Sequence, residues 1–266
     1  MLTLFLVAIA YLAIGSVAGI LAGLLGIGGG IVTVPSLLLV FNLLGYPQAY
    51  LMHMAIGTSL AAMVFNTISS TCAHHKRQGV LWNIVRKMLP GLVIGSVLGA
   101  ISAEYLSGII LEIFFGCFLM GIGILFLRKH KPHLEEHKLP RPAIFTLIST
   151  GIGWLSNLLG IGGGVITVPV LTSFKLQSKK AIGTSAATSL CISFIGALCY
   201  LWVGLGKLPF EETVGYINLP AFALIGIATF IAAPIGAKWT HQLPEHLLKR
   251  FLGGMLILVG AAMVFT

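Results

Sequence analysis

The sequence predicts an all-α membrane protein. It has about 8–10 hydrophobic segments in two inverted-topology repeats, with broken or re-entrant helices at glycine-rich motifs. Three observations predict this. The chain is 57% hydrophobic and only 9% charged, where a soluble domain carries about a quarter charged residues. A glycine-rich stretch occurs twice, once in each half. The Lys and Arg residues gather between alternate apolar segments and nowhere else in number.

Ten apolar segments can be marked in order: 3–25, 29–44, 50–72, 84–102, 107–127, 142–159, 162–174, 180–203, 214–237 and 247–266. A helix needs about 20 apolar residues to cross a bilayer. The second and seventh segments are short for that, and each follows a glycine cluster. They read as half-helices or re-entrant limbs. The first segment has no basic residue ahead of it and no AxA-like end, so it reads as a membrane helix and not as a cleaved signal. The cysteines Cys72, Cys117, Cys191 and Cys199 all lie in apolar runs without a CxxC pair and read as small buried hydrophobes.

Residues 128–141, RKHKPHLEEHKLPR, divide the chain almost in half. This places a first repeat at 1–127, a cytoplasmic charged loop at 128–141 and a second repeat at 142–266. Residues 19–37 read GILAGLLGIGGGIVTVPSL and residues 153–171 read GWLSNLLGIGGGVITVPVL, identical at 13 of 19 positions. AIGTS recurs at 55–59 and 181–185 in the same order, so the chain is an internal duplication.

Charge counting sets the topology. Of the 16 Lys and Arg residues, 15 fall in the gaps between segments three and four, five and six, seven and eight, or nine and ten, or in the first four residues after those gaps; Lys207 alone lies in the other set, beside Glu211 and Glu212. With alternating segments those four loops share one side, which is the cytoplasm, and both termini face out. Five segments per repeat is an odd number, so the second repeat runs inverted. Inverted repeats are a secondary-transporter architecture with the site at the repeat interface near the midplane. The same parity holds for ten spans, for eight, or for six spans with two hairpins.

Gly28, Gly29 and Gly30 in a row, like Gly162, Gly163 and Gly164, are costly in a continuous helix at about 1 kcal/mol each. They read as helix breaks where backbone approaches a ligand closely. Pro35 and Pro169 fit the first turn of a new helix or a kink. A helix starting at such a break presents free N–H groups and its positive dipole end, an anion site without a charged side chain. The series Gly15, Gly19, Gly23 and Gly91, Gly95, Gly99 follow the GxxxG spacing of close helix packing. Thr58 and Ser59, with Thr184 and Ser185, either serve an oxyanion directly or satisfy backbone carbonyls at a bent helix. Asn66 and Asn157 are secondary polar candidates. Glu112 is either an interfacial acid or the carrier of a coupling proton. His53 has no visible partner. His130, His133 and His137, with Glu135 and Glu136, read as a solvated loop and not a metal site, so no metal and no cofactor is expected.

On the duplicated GLLGIGGGIVTVP and NLLGIGGGVITVP motifs and the paired AIGTS segments, the chain resembles the TauE/SafE, or TSUP, family of sulfite exporters, over essentially its whole length. The resemblance implies a multi-spanning transporter of the bacterial inner membrane. Its expected substrates are small anions, most of all sulfur oxyanions or organosulfonates of the sulfite, sulfoacetate and thiosulfate type. The first copy has Gly23 where the second has Asn157, so the two halves of the site are not equivalent. A passive anion or small-solute channel is the alternative. An intramembrane enzyme is disfavoured: HExxH, GxSxG and any Asp are missing. The expected partners are a small anion and the lipid bilayer, without nucleic acid; a coupling proton or ion and a homo-oligomer stay open.

Overall fold

The computed structural model describes residues 2–26, 28–127, 141–239 and 245–265. The histidine- and glutamate-bearing stretch 128–140 lies outside the described residues.

Among the described residues, ten helices follow the ten apolar segments. In the first half these are α1 (Leu2–Leu25), α2 (Gly30–Leu43), α3 (Gln48–Lys76), α4 (Trp82–Glu104) and α5 (Gly108–Leu127). In the second they are α6 (Pro142–Leu159), α7 (Gly164–Ser173), α8 (Ser178–Val203), α9 (Leu219–Trp239) and α10 (Glu245–Phe265). Two short strands, β1 (Thr213–Val214) and β2 (Ile217–Asn218), form an antiparallel hairpin between α8 and α9. Among the described residues, seven helices (α1, α3, α4, α5, α6, α8 and α9) are long and apolar enough to cross a membrane. At 1.5 Å per residue, the 14 residues of α2 and the 10 of α7 reach only about 21 and 15 Å. A hydrocarbon core is about 30 Å thick, so neither helix is long enough to cross it alone.

Apolar side chains cover much of the outside, and the largely apolar interior also holds many polar side chains. Leu4, Phe5, Ile109, Leu147 and Ile231 are exposed, whereas Thr58, Ser59, Asn66, Asn157, Thr184 and Ser185 are buried. The long central helices α3 and α8 pack on each other. The pair α1–α9 matches α6–α4, α2–α3 matches α7–α8, and α3–α9 matches α8–α4 under exchange of the two halves. This is the pattern a duplicated chain produces when its halves interleave.

The GxxxG series are the seams of this arrangement. A Cβ at Gly15 would lie 2.7 Å from Ala228 Cβ, and one at Gly19 2.8 Å from Thr229 Cα, both on α9. Gly91, Gly95 and Gly99 meet the backbone of Thr146, Thr150 and Trp154 on α6 in the same way. Close backbone approach is what small residues permit between membrane helices. The cysteines differ from expectation. Cys72 and Cys117 are exposed and Cys191 and Cys199 only partly covered, all as free thiols. A protein whose surroundings are lipid gains nothing by turning a small hydrophobe inward, so apolarity of the run does not decide burial here.

At the end of the molecule holding the hairpin, Lys207 pairs with Glu104 and not with its sequence neighbours Glu211 and Glu212. Tyr216 donates to the same carboxylate at 3.0 Å, and Tyr46 donates to Glu212 at 3.3 Å. Both phenols are pushed above the usual tyrosine range, first by burial and then by their carboxylates. They stay protonated donors at any physiological pH. Glu112 sits in the second turn of α5 and is half-buried.

Candidate functional site: two abutting helix breaks

Each glycine cluster is a chain reversal with left-handed backbone. Gly26, Gly28 and Gly29 have φ of 67°, 78° and 87°, and Gly160, Gly162 and Gly163 have 68°, 64° and 82°. A residue with a Cβ loses roughly 1–2 kcal/mol in that region, which is why the G-x-G-G spacing recurs unchanged. Gly29 caps α2 and Gly163 caps α7. Pro35 and Pro169 lie six residues into these helices, past the first turn. There the ring removes one intrahelical hydrogen bond from a helix already too short to span.

The two reversals touch. A Cβ at Gly30 would fall on the carbonyl of Gly160 and within 2.7 Å of Ile161 Cα. One at Gly28 would come within 3.8 Å of Gly162 Cα, and the Met63 methyl lies against both Gly28 and Gly162. The N-terminal ends of α2 and α7 therefore lie beside one another, with Met63 of α3 wedged between the breaks. The first N–H groups of any helix lack intrahelical acceptors, so two positive dipole ends converge here.

The hydroxyls of the AIGTS copies serve the backbone. Ser59 donates to Gly160 O at 3.2 Å and Ser185 donates to Gly26 O at 2.9 Å, each reaching the break of the other half. Thr58 accepts from the N–H of Asn218 at 2.9 Å, and Thr184 from that of Leu81 at 3.0 Å. Ser59 and Ser185 thus satisfy backbone carbonyls, whereas the Thr58 and Thr184 oxygens accept from backbone N–H groups. Asn66 Nδ2 donates to Gly28 O at 3.0 Å. Asn157 is not its equivalent: its Nδ2 donates to Ile192 O at 3.3 Å. Gly23, which matches Asn157, has no room for a side chain because Ala233 of α9 lies directly against it. His53 finds Ala103 O at 3.0 Å through Nε2.

Several polar residues escaped sequence reasoning. Among the described residues, Ser70, Thr71, Ser156, Thr167 and Ser189 bury side-chain oxygens that have no partner. The run FNTISSTC at 65–72 carried the signal, since four hydroxyls in an apolar segment need acceptors inside the fold.

The serine pair yields a direct expectation. Ser59→Ala and Ser185→Ala each leave a break carbonyl without its donor, which costs about 1–3 kcal/mol. Each variant should melt below the wild type in detergent, and the double variant by about the sum. Unchanged melting in both singles would show that the breaks hold themselves.

The chain matches the family described as sulfite exporter TauE/SafE over residues 11–263. It is 33% identical over 253 residues to a probable membrane transporter protein of Haemophilus influenzae, covering 95% of this chain and 96% of that one. A probable membrane transporter protein of Methanocaldococcus jannaschii is 28% identical over 252 residues, covering 94% and 93%. Another, from Xylella fastidiosa, is 30% identical over 259 residues, covering 94% and 92%. No solved structure gives a significant match. With paired glycine reversals at the centre of an all-helical membrane fold and a family match spanning both of them, this chain belongs to the sulfite exporter TauE/SafE family.

Proposed function

We propose that the protein is a secondary transporter of small anions, with sulfur oxyanions or organosulfonates of the sulfite, sulfoacetate and thiosulfate type as its substrates. The observation that carries this reading is the junction of the two glycine breaks, where the N-termini of α2 and α7 converge, with no Lys or Arg against those glycines among the described residues. An anion in a low-dielectric interior is very costly unless donors surround it. Backbone N–H groups around Gly28 to Gly30 and Gly162 to Gly164 supply those donors. Ser59 and Ser185 hold the breaks in shape, and Thr58 and Thr184 anchor the crossing segments that frame them. Dipoles without a full charge give weak, reversible binding, as turnover requires.

Transport proceeds by alternating access between two inverted repeats, residues 1–127 and 142–266, in the bacterial inner membrane. Both termini face out and the loop 128–141 faces the cytoplasm, on the strength of the basic asymmetry. The family membership supports the substrate class, and the names of the relatives support transport.

Proteoliposomes loaded under an imposed ion gradient test this directly. Labelled sulfite should accumulate above its external concentration, with thiosulfate, sulfoacetate and short carboxylates ranked by competition. Equilibration without accumulation would identify a channel, and no flux of any of these anions would overturn the reading.

A further inference from the structure

We propose that a crevice at the end of α1 is a binding site for a monovalent cation of sodium size, the ion that couples anion transport. The coupling role rests on the transporter reading above; the binding site does not. The crevice is narrow and partly open, and its walls include Gly26 and Gly28 of the first break and Asn66, Thr67 and Ser70 of α3.

Two oxygens there are unpartnered. Asn66 is 1% exposed and Ser70 is 3% exposed. Among the described residues, Asn66 Oδ1 and Ser70 Oγ have no hydrogen-bond partner. They lie four residues apart on α3, hence on one helical face. The Asn66 amide cannot be turned over to remove the deficit, because its Nδ2 is the donor to Gly28 O at 3.0 Å. The oxygen left over accepts hydrogen bonds or a cation, and it repels an anion. The crevice shares Gly28 with the break that offers N–H donors to an anion, but the unpartnered groups on its α3 wall are oxygens.

Position reinforces this. The crevice lies where α1 ends, and a helix C-terminus is the negative end of its dipole. Unwound carbonyls and helix C-terminal ends of this kind coordinate sodium in membrane transporters. The chemistry of the walls selects the ion. Asn66, Thr67 and Ser70 do not titrate; the nearby titratable group, His74 one turn further along α3, lies beyond these walls with its Nε2 3.3 Å from Gly23 O. Calcium and magnesium sites draw on carboxylates, and the crevice has none. Transition metals favour nitrogen and sulfur ligands, and among the described residues no three of His, Cys, Asp and Glu come together. A small number of neutral oxygens suits a small alkali cation.

The duplication supplies an internal comparison. By the AIGTS register, the second-half counterparts of Asn66 and Ser70 are Ile192 and Gly196. The breaks are duplicated, but these oxygens are not. One cation site therefore serves two anion-facing helix ends. The bound anion and cation attract across the break, so each strengthens the binding of the other by the same factor.

The test is saturable binding of 22Na+ to the purified full chain in detergent. Expected is binding displaced by unlabelled sodium and not by choline. Ser70→Ala should weaken it about tenfold or more, as loss of one ligand to a charge does. Ser70→Cys, almost the same size but with a soft sulfur, should show the same loss. Ser96→Ala, a buried hydroxyl between α4 and α6, should leave it unchanged. Absence of saturable 22Na+ binding in monodisperse wild type overturns the proposal, as does wild-type affinity in both Ser70 variants. Binding of 35S-labelled sulfite in choline medium separates the two readings. If sulfite fails to bind in sodium medium as well as in choline while sodium binds, the anion assignment falls and the cation site stands; sulfite binding without saturable sodium binding removes the cation site alone.

Discussion

Gly30→Ala is expected to abolish transport and to destabilise the fold more than any other single methyl addition at the breaks. Its new Cβ meets the carbonyl of Gly160 and Ile161 Cα, both backbone atoms of the opposite half. Side chains can rotate out of a collision; two chain reversals pressed together cannot. Overpacking a well-filled site costs about 1–3 kcal/mol, and rigid neighbours put Gly30 at the upper end. Gly28→Ala is milder in sterics, since it meets the Met63 methyl, the far end of a flexible side chain. It retains a left-handed backbone cost of roughly 1–2 kcal/mol. Met63→Leu should therefore recover part of the Gly28→Ala defect and none of the Gly30→Ala defect. The ranking is read from melting in detergent and sulfite flux in proteoliposomes. Wild-type melting and flux in Gly30→Ala would show that the two breaks do not support one another.

The second large effect separates glycines that look alike in sequence. Gly95→Ala should strongly destabilise the protein, because the added methyl meets the backbone of Thr150 and lies 2.8 Å from Trp154 N. Gly151→Ala and Gly121→Ala have nothing within 4 Å of the new methyl. They should be neutral or stabilising by up to about 1 kcal/mol, through better helix propensity. The same substitution thus changes sign with position. Equal effects at Gly95 and Gly151 would remove close α4–α6 approach as a source of stability.

Much of this was legible beforehand. The glycine triplets marked the breaks because backbone conformation is a local property and G-x-G-G has few other uses in an apolar chain. The GxxxG series marked the α1–α9 and α4–α6 seams for the same local reason. What stayed hidden depends on contacts distant in sequence. Nothing near Ser59 says that its partner is Gly160, 101 residues away. Met63 looks like any core methionine until both breaks are seen to press on it. Glu104 and Lys207 are 103 residues apart and meet only because the hairpin folds across the ends of other helices. Asn66 was singled out as a polar candidate and Ser70 was not, and the lack of partners of both oxygens is a property of the packed state.

The interleaving of the halves bears on how the chain can be made. α1 finds its long-helix neighbour in α9, α4 in α6 and α5 in α10, so each of these pairs joins the first five helices to the last five. A nascent chain that has inserted only α1 to α5 therefore holds its glycine seams open to lipid until the second half arrives. Insertion and assembly are separated in time, and the early helices must wait side by side in the bilayer. Two half-length fragments produced in the same cell should find each other and reconstitute the fold, whereas either fragment alone should be cleared by membrane proteolysis.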